Sequence, residues 1–234
     1  MDEASVLLLT AASVAFLHTV LGPDHYLGFV ALSKARDWSL IKTLRITALC
    51  GLGHVLSSVV IGAIGIIIGA ELTRLVAIES GRGSLAGWAL LAFGLAYFAW
   101  GLKRIGRGHE HTHLHAHGDV MHSHPHDHHG EHAHPHIERS GSITPWAMFI
   151  IFVLGPCEAL IPLFMYPAAV DSNGLVLAVA LVFGAVTLLT MLTAVTIGVV
   201  GLRQIRIPRL ERYAHAIAGA SIFACGAAIN FAGL

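Results

Sequence analysis

Charge is what this sequence has least of. Asp, Glu, Lys and Arg make up 12% of the chain, about half the roughly 25% carried by soluble domains. Neither sign dominates. The 14 Lys+Arg cancel the 14 Asp+Glu, which excludes nucleic acid as a main partner, since that needs a basic surface. A content of 55% hydrophobic residues excludes a disordered chain, and 25 glycines in 234 residues exclude a collagen-like one. Three cysteines cannot build a disulfide framework. No nucleophile–base pair marks an enzyme, no permanent cofactor is expected, and no nucleotide-binding motif is present.

The few charges are clustered. Residues 46–70, 83–102, 140–157, 172–202 and 213–234 carry none, and residues 4–33 carry only Asp24. Uncharged apolar runs of about 18 residues or more read as membrane spans. The expected fold is all-α, with six transmembrane helices over roughly 5–33, 43–70, 83–102, 143–169, 174–201 and 213–233, because lipid admits only helices or closed barrels and the runs do not alternate as barrel strands do. No cleavable leader is expected: the chain opens with Asp2 and Glu3, and its first apolar run continues past residue 30. Connections are short except for a polar insert over 103–142. With six spans, the loops after spans 1, 3 and 5 hold twelve Lys and Arg, and the other side holds only Arg74 and Arg82. The positive-inside rule then places both termini outside and the insert in the cytoplasm.

The chain also repeats itself. A shift of 133 lays Val20-Leu21-Gly22-Pro23 on Val153-Leu154-Gly155-Pro156, Gly51 on Gly184, and Ile64-Gly65 on Ile197-Gly198. A shift of 132 lays Ala86-Gly87 on Ala218-Gly219 and Gly94 on Gly226. Three spans per half is an odd number, so the halves, 1–102 and 143–234, are expected to insert with opposite orientation. Inverted repeats of this kind build many secondary transporters, with the site near the midplane between them.

Spans 1 and 4 each carry a Gly-Pro. Proline removes a backbone donor and crowds the carbonyl four residues earlier, so both spans should break there. Asp24 and His25 follow Pro23, and Cys157 and Glu158 follow Pro156. Ionisable residues within a span mark function by default, and the start of a half-helix steadies a carboxylate. His18 lies two turns before His25, and His54 lies in span 2 one turn from Ser57 and Ser58. Their counterparts in the other half are Thr187 and Thr190. Imidazole and carboxylate with an optional thiolate suit a divalent transition ion, nickel, cobalt or zinc. The candidate ligands are therefore His18, Asp24, His25, His54, Cys157 and Glu158. Cys50 and Cys225 read as packing residues, Met165 and Met191 as core, and His215 as interfacial.

The insert holds thirteen of the seventeen histidines. They alternate with other residues as His109, His111, His113, His115 and His117, then His122, His124, His126 and His128. That composition signals weak, overlapping metal sites, and the polar segment is expected to be disordered without metal.

The segments His18-Thr-Val-Leu-Gly-Pro-Asp24-His25, Leu52-Gly53-His54 and Gly155-Pro156-Cys157-Glu158-Ala159-Leu160 resemble the nickel/cobalt transporter superfamily. Its six-span members, the urease-accessory-like membrane proteins and the nickel/cobalt efflux proteins, are the nearest. The likeness covers all six spans and the His-rich loop between spans 3 and 4. It implies Ni²⁺ or Co²⁺ as substrate, held by His18, Asp24, His25 and His54. The family's signature has four residues between the first His and the Asp-His pair; here there are five, Thr19 to Pro23.

Three other readings compete. A membrane thiol–disulfide carrier needs a second sulfur where Asp24 stands. A cation-diffusion zinc exporter places His and Asp four apart in two spans and its loop elsewhere. An exporter of a sulfur-containing anion or small organic solute needs a positive site, and no Lys or Arg is expected inside a span. The expectation is gradient-driven transport of Ni²⁺ or Co²⁺, with export favoured because metal captured by the insert sits beside an exporter's entrance. The partners are the metal ion and the lipid bilayer, and a homo-oligomer is compatible with the chain.

Overall fold

The computed structural model describes residues 2–106, 111–117, 120–126, 143–157, 159–169, 172–204 and 211–232. In chain order the elements are α1 (Glu3–Leu21), a 3-10 turn (Pro23–His25), α2 (Leu27–Ala35), α3 (Leu40–Ile67), α4 (Leu72–Gly106), β1 (His111–His117), β2 (Val120–His126), α5 (Ile143–Leu154), α6 (Leu160–Ala169), α7 (Asn173–Gln204) and α8 (Ala214–Ala227), which continues as a π turn (Ala228–Ala232). Five of these, α1, α3, α4, α7 and α8 with its π turn, are long and apolar enough to cross a membrane, and α5 and α6 are shorter apolar helices. The chain is a membrane protein on this ground. Its outer surface agrees: Leu181, Leu189 and Ile197 stand along one face of α7 about two-thirds exposed, while Phe183, Thr187, Met191 and Val195 on the opposite face are fully buried.

Both Gly-Pro pairs interrupt their helices. α1 stops at Leu21 and α5 at Leu154, each one residue before the glycine; α2 resumes at Leu27 and α6 at Leu160. All four boundaries, and the starts of α3 and α7, correspond at the 133-residue shift. Each break also marks a passage between two apolar clusters. Ala11 and Ala15 of α1 pack with Leu160 and Phe164 of α6 and Phe183 of α7. Phe29 and Leu32 of α2 pack with Met148 and Phe152 of α5, Met191 of α7 and Ile222 of α8. The chain therefore crosses from one cluster to the other at the first break and returns at the second.

α4 and α8 run antiparallel in the closest packing of the molecule. A Cβ at Gly94 would lie 2.3 Å from the Phe223 nitrogen, one at Gly101 2.5 Å from the Ala216 nitrogen, and one at Gly219 2.3 Å from the Phe98 nitrogen. Glycine at these seven-residue steps lets backbone meet backbone, the usual device where lipid offers no hydrophobic drive between helices.

Two expectations need correction. Residues 71–82 are not a connection: α4 begins at Leu72 and runs through them. Arg74, Glu79 and Arg82 end the uncharged run in the sequence, but Glu79 and Arg82 pair with each other three residues apart, and Leu75 packs against Gly65 of α3. The helix therefore continues despite its charges, and Arg82 lies inside it. The second correction concerns the insert. Residues 111–117 and 120–126 form an antiparallel ribbon that pairs the backbones of His111 with His126, His113 with His124 and His115 with His122. Alternation at a period of two suits a strand, and this ribbon is the one departure from an all-helical fold among the described residues. His109 and His128 lie outside the described residues.

The packing makes a direct prediction. Gly219→Val should lower the thermal unfolding midpoint of the purified protein, since overpacking of this kind costs about 1–3 kcal/mol or more. Gly174→Val, where no atom lies within 4 Å of the added Cβ, should leave the midpoint unchanged or slightly higher.

Candidate metal centre

The break in the first span builds one half of the site. Pro23 has no N–H to give the Thr19 carbonyl, and Gly22 turns out of the helix with φ −88° and ψ 92°. The following 3-10 turn brings His25 back beside His18. Their ring centroids are 4.8 Å apart. His54 enters from the middle of α3, its ring centroid 5.2 Å from that of His25 and 6.5 Å from that of His18. One ring nitrogen from each of the three lies within 4.8 Å of the others. His25 and His54 are almost fully buried.

Hydrogen bonds orient two of the rings. His25 Nδ1 lies 3.1 Å from the Gly22 carbonyl, and His54 Nδ1 lies 3.3 Å from the Phe152 carbonyl. A carbonyl only accepts, so each Nδ1 carries a proton, and in the neutral ring Nε2 keeps its lone pair. Fixing a ligand through its other nitrogen is the usual arrangement at metal sites. The Nε2 atoms of His18 and His25 are buried and make no hydrogen bond among the described residues. A buried polar atom left in that condition costs about 1–3 kcal/mol, which a bound cation would offset.

Asp24 stands at the edge of the group. Its Oδ1 is 3.4 Å from His25 Nδ1, and its side chain is 24% exposed. It borders a cavity of about 800 Å³ that reaches the three histidines and is lined further on by Ser80, Ser84 and Asn230. One carboxylate beside three imidazoles suits a borderline divalent ion. Two nitrogens on one ion at about 2.0–2.1 Å can stand no more than about 4.2 Å apart, so binding would draw the widest pair inward by up to about 0.6 Å.

The other sequence candidates fall differently. Cys157 is fully buried with its Sγ 3.4 Å from His54 Nε2. It touches a histidine of the group and is not one of the three converging ligands. Glu158 lies outside the described residues. Thr187, the counterpart of His54, is buried with its hydroxyl unpaired among the described residues. Among the described residues the three converging histidines thus come from the first half of the chain, and the second half places the Phe152 carbonyl and the Cys157 thiol beside His54.

Glu79 and Arg82 belong to this region and were not singled out from the sequence, where their charges mark the end of an apolar run. Glu79 is fully buried and paired with Arg82. An acid and a base three residues apart within a long apolar stretch were the available signal. Arg82 also answers the charge argument about an anion substrate. A cation does lie inside a helix, but Glu79 neutralises it and Asp24 faces the cavity. A thiol carrier gains no support either, because Cys50 and Cys157 pack in separate apolar clusters and all three cysteines are free. His215 is partly buried, between the Tyr97 hydroxyl at 2.9 Å and Arg104 at 3.1 Å.

No family model, curated protein or solved structure matches the chain.

A Co²⁺ titration of the purified protein tests the site without assuming transport. His54→Ala should bind one tight ion fewer than the unaltered chain, whose insert is the same in both, and Cys50→Ser should bind the same number. Equal numbers in all three would remove the metal centre from this position.

Proposed function

We propose that this chain carries a divalent transition-metal ion, Ni²⁺ or Co²⁺ with Zn²⁺ as the neighbouring possibility, across a membrane. The convergence of His18, His25 and His54 at a helix break is the observation that carries the proposal. An ion crossing the bilayer must shed its water. Fixed imidazoles beside a carboxylate replace that shell, and a broken helix is where irregular backbone can line a cavity.

The six-span, inverted-repeat architecture belongs to the same proposal. It draws support from the equivalent breaks and from the opposite order in which the two halves visit the two apolar clusters. In it, α1 with α2 forms span 1 and α5 with α6 forms span 4. The termini lie outside and the His-rich insert in the cytoplasm, where the insert collects metal and delivers it to an exporter. Asp24 and the histidines can each hold a proton or the metal, so proton exchange is the proposed source of energy.

Uptake of Co²⁺ and Ni²⁺ by proteoliposomes tests the proposal. Asp24→Asn, His25→Ala and His54→Ala should each cut the rate by at least about tenfold, the lower end of what disturbing the support of a metal ligand costs. Deletion of 109–136 should leave transport intact, with altered sensitivity at low metal. Cys157→Ser should weaken transport or change metal preference without abolishing it. Full-rate metal transport by Asp24→Asn and His25→Ala protein would contradict the proposal, and sulfite transport by the same vesicles would favour the anion exporter.

A further inference from the structure

Proline at 156 cannot donate to the Phe152 carbonyl, and the Cys157 N–H is drawn away from the Val153 carbonyl toward Ser58 Oγ, 2.9 Å distant. The Val153 carbonyl therefore loses its helical partner, and the Phe152 carbonyl is left with a three-residue turn bond from the Gly155 N–H at 3.1 Å. Phe152 O receives His54 Nδ1. Val153 O receives Arg82 Nη2 at 2.8 Å, and the same nitrogen donates to Ser57 Oγ at 2.8 Å. Ser57 in turn donates to the His54 carbonyl at 2.8 Å. On the other side, Ser58 donates to Glu79 Oε2 at 2.8 Å, and Glu79 Oε1 closes the circuit on Arg82 Nη1.

The circuit surrounds His54 without reaching its Nε2, which accepts from the Cys157 thiol. The Phe152 carbonyl that receives Nδ1 and the Cys157 thiol beside Nε2 both belong to the break that Arg82, Glu79 and Ser58 hold. The backbone of His54 itself is tied to Arg82 through Ser57. A shift of the break would move everything that orients this ring. Among the described residues the first break shows no such clamp: the Val20 carbonyl, which corresponds to Val153, takes the Tyr26 hydroxyl at 3.2 Å.

From this we infer that Glu79 and Arg82 are positioning residues for the metal centre. Through the second break, they hold His54 in its binding posture and so set the affinity of a site they do not contact. The inference rests on the metal-binding role proposed for His18, His25 and His54, and it assigns the second half of the chain a part in that role. Geometry is what the pair supplies. A buried ion pair gains little net stability over uncharged residues of similar size. The planar guanidinium reaches Val153 O, Ser57 Oγ and Glu79 together, which a lysine ammonium cannot do in the same way.

The test uses the full chain in nanodiscs, with Co²⁺ as the probe. Its visible absorption is read as a difference against His25→Ala/His54→Ala protein, which removes the signal of the insert. Arg82→Lys keeps the charge and loses the fork; Glu79→Gln/Arg82→Met removes both charges. Each should weaken Co²⁺ binding roughly 10- to 100-fold, the effect of losing support behind a metal ligand, and should shift the Co²⁺ bands while the protein still elutes as a single folded species. Wild-type affinity and bands in both variants would overturn the inference. So would a loss confined to a double variant that no longer elutes as folded protein, with Arg82→Lys behaving as wild type. If the unaltered chain shows no difference spectrum at all, the metal centre itself fails and the inference falls with it; that outcome is distinct from a wild-type spectrum that the variants leave unmoved.

Discussion

A carbonyl in lipid must find a donor, and much of this structure follows from the ones that two Gly-Pro pairs release. In water a broken helix hydrates its loose ends. In a bilayer core each unsatisfied group costs several kcal/mol, so the break has to sit inside a bundle that brings donors to it. Here side chains join the backbone as donors: His25 and His54 add their rings to the Gly22 and Phe152 carbonyls, which also accept the His25 and Gly155 N–H groups, while Tyr26 serves Val20 and Arg82 serves Val153. The same carbonyls orient the two imidazoles. Each Nδ1 that serves a carbonyl leaves an Nε2 lone pair.

The two halves share a frame and divide the labour. Their helix boundaries correspond across the breaks, yet the three imidazoles come from residues 18–54, and the position equivalent to His54 holds Thr187. What the second half brings is support: a carbonyl, a thiol and the loop that the Glu79–Arg82 pair holds. Close glycine packing of α4 against α8 holds this frame from the side, with backbones rather than side chains in contact.

Much of this was legible in the sequence, for identifiable reasons. Uncharged runs located the long helices because lipid tolerates little else. Pro23 and Pro156 located the breaks because proline cannot donate. His18, His25 and His54 could be grouped because ionisable residues are rare in such helices. Other features were hidden. The start of α4 was missed because Glu79 and Arg82 end an apolar run by composition, and their mutual neutralisation is visible only in three dimensions. Cys157 read in the sequence as an optional ligand beside Asp24; burial places the thiol behind His54 and leaves the carboxylate at the cavity. The ribbon of 111–117 and 120–126 came from an alternation that was weighed as composition rather than as a strand period.

The central claim is that the meeting of the first break with α3 is a cation site. Crystals of the full chain soaked in Ni²⁺ or Co²⁺, with anomalous differences measured at the metal's absorption edge, test it most directly. The account predicts a peak between the rings of His18, His25 and His54, lost in His54→Ala crystals. Peaks confined to the insert over 109–136, with none at the three histidines, would contradict it.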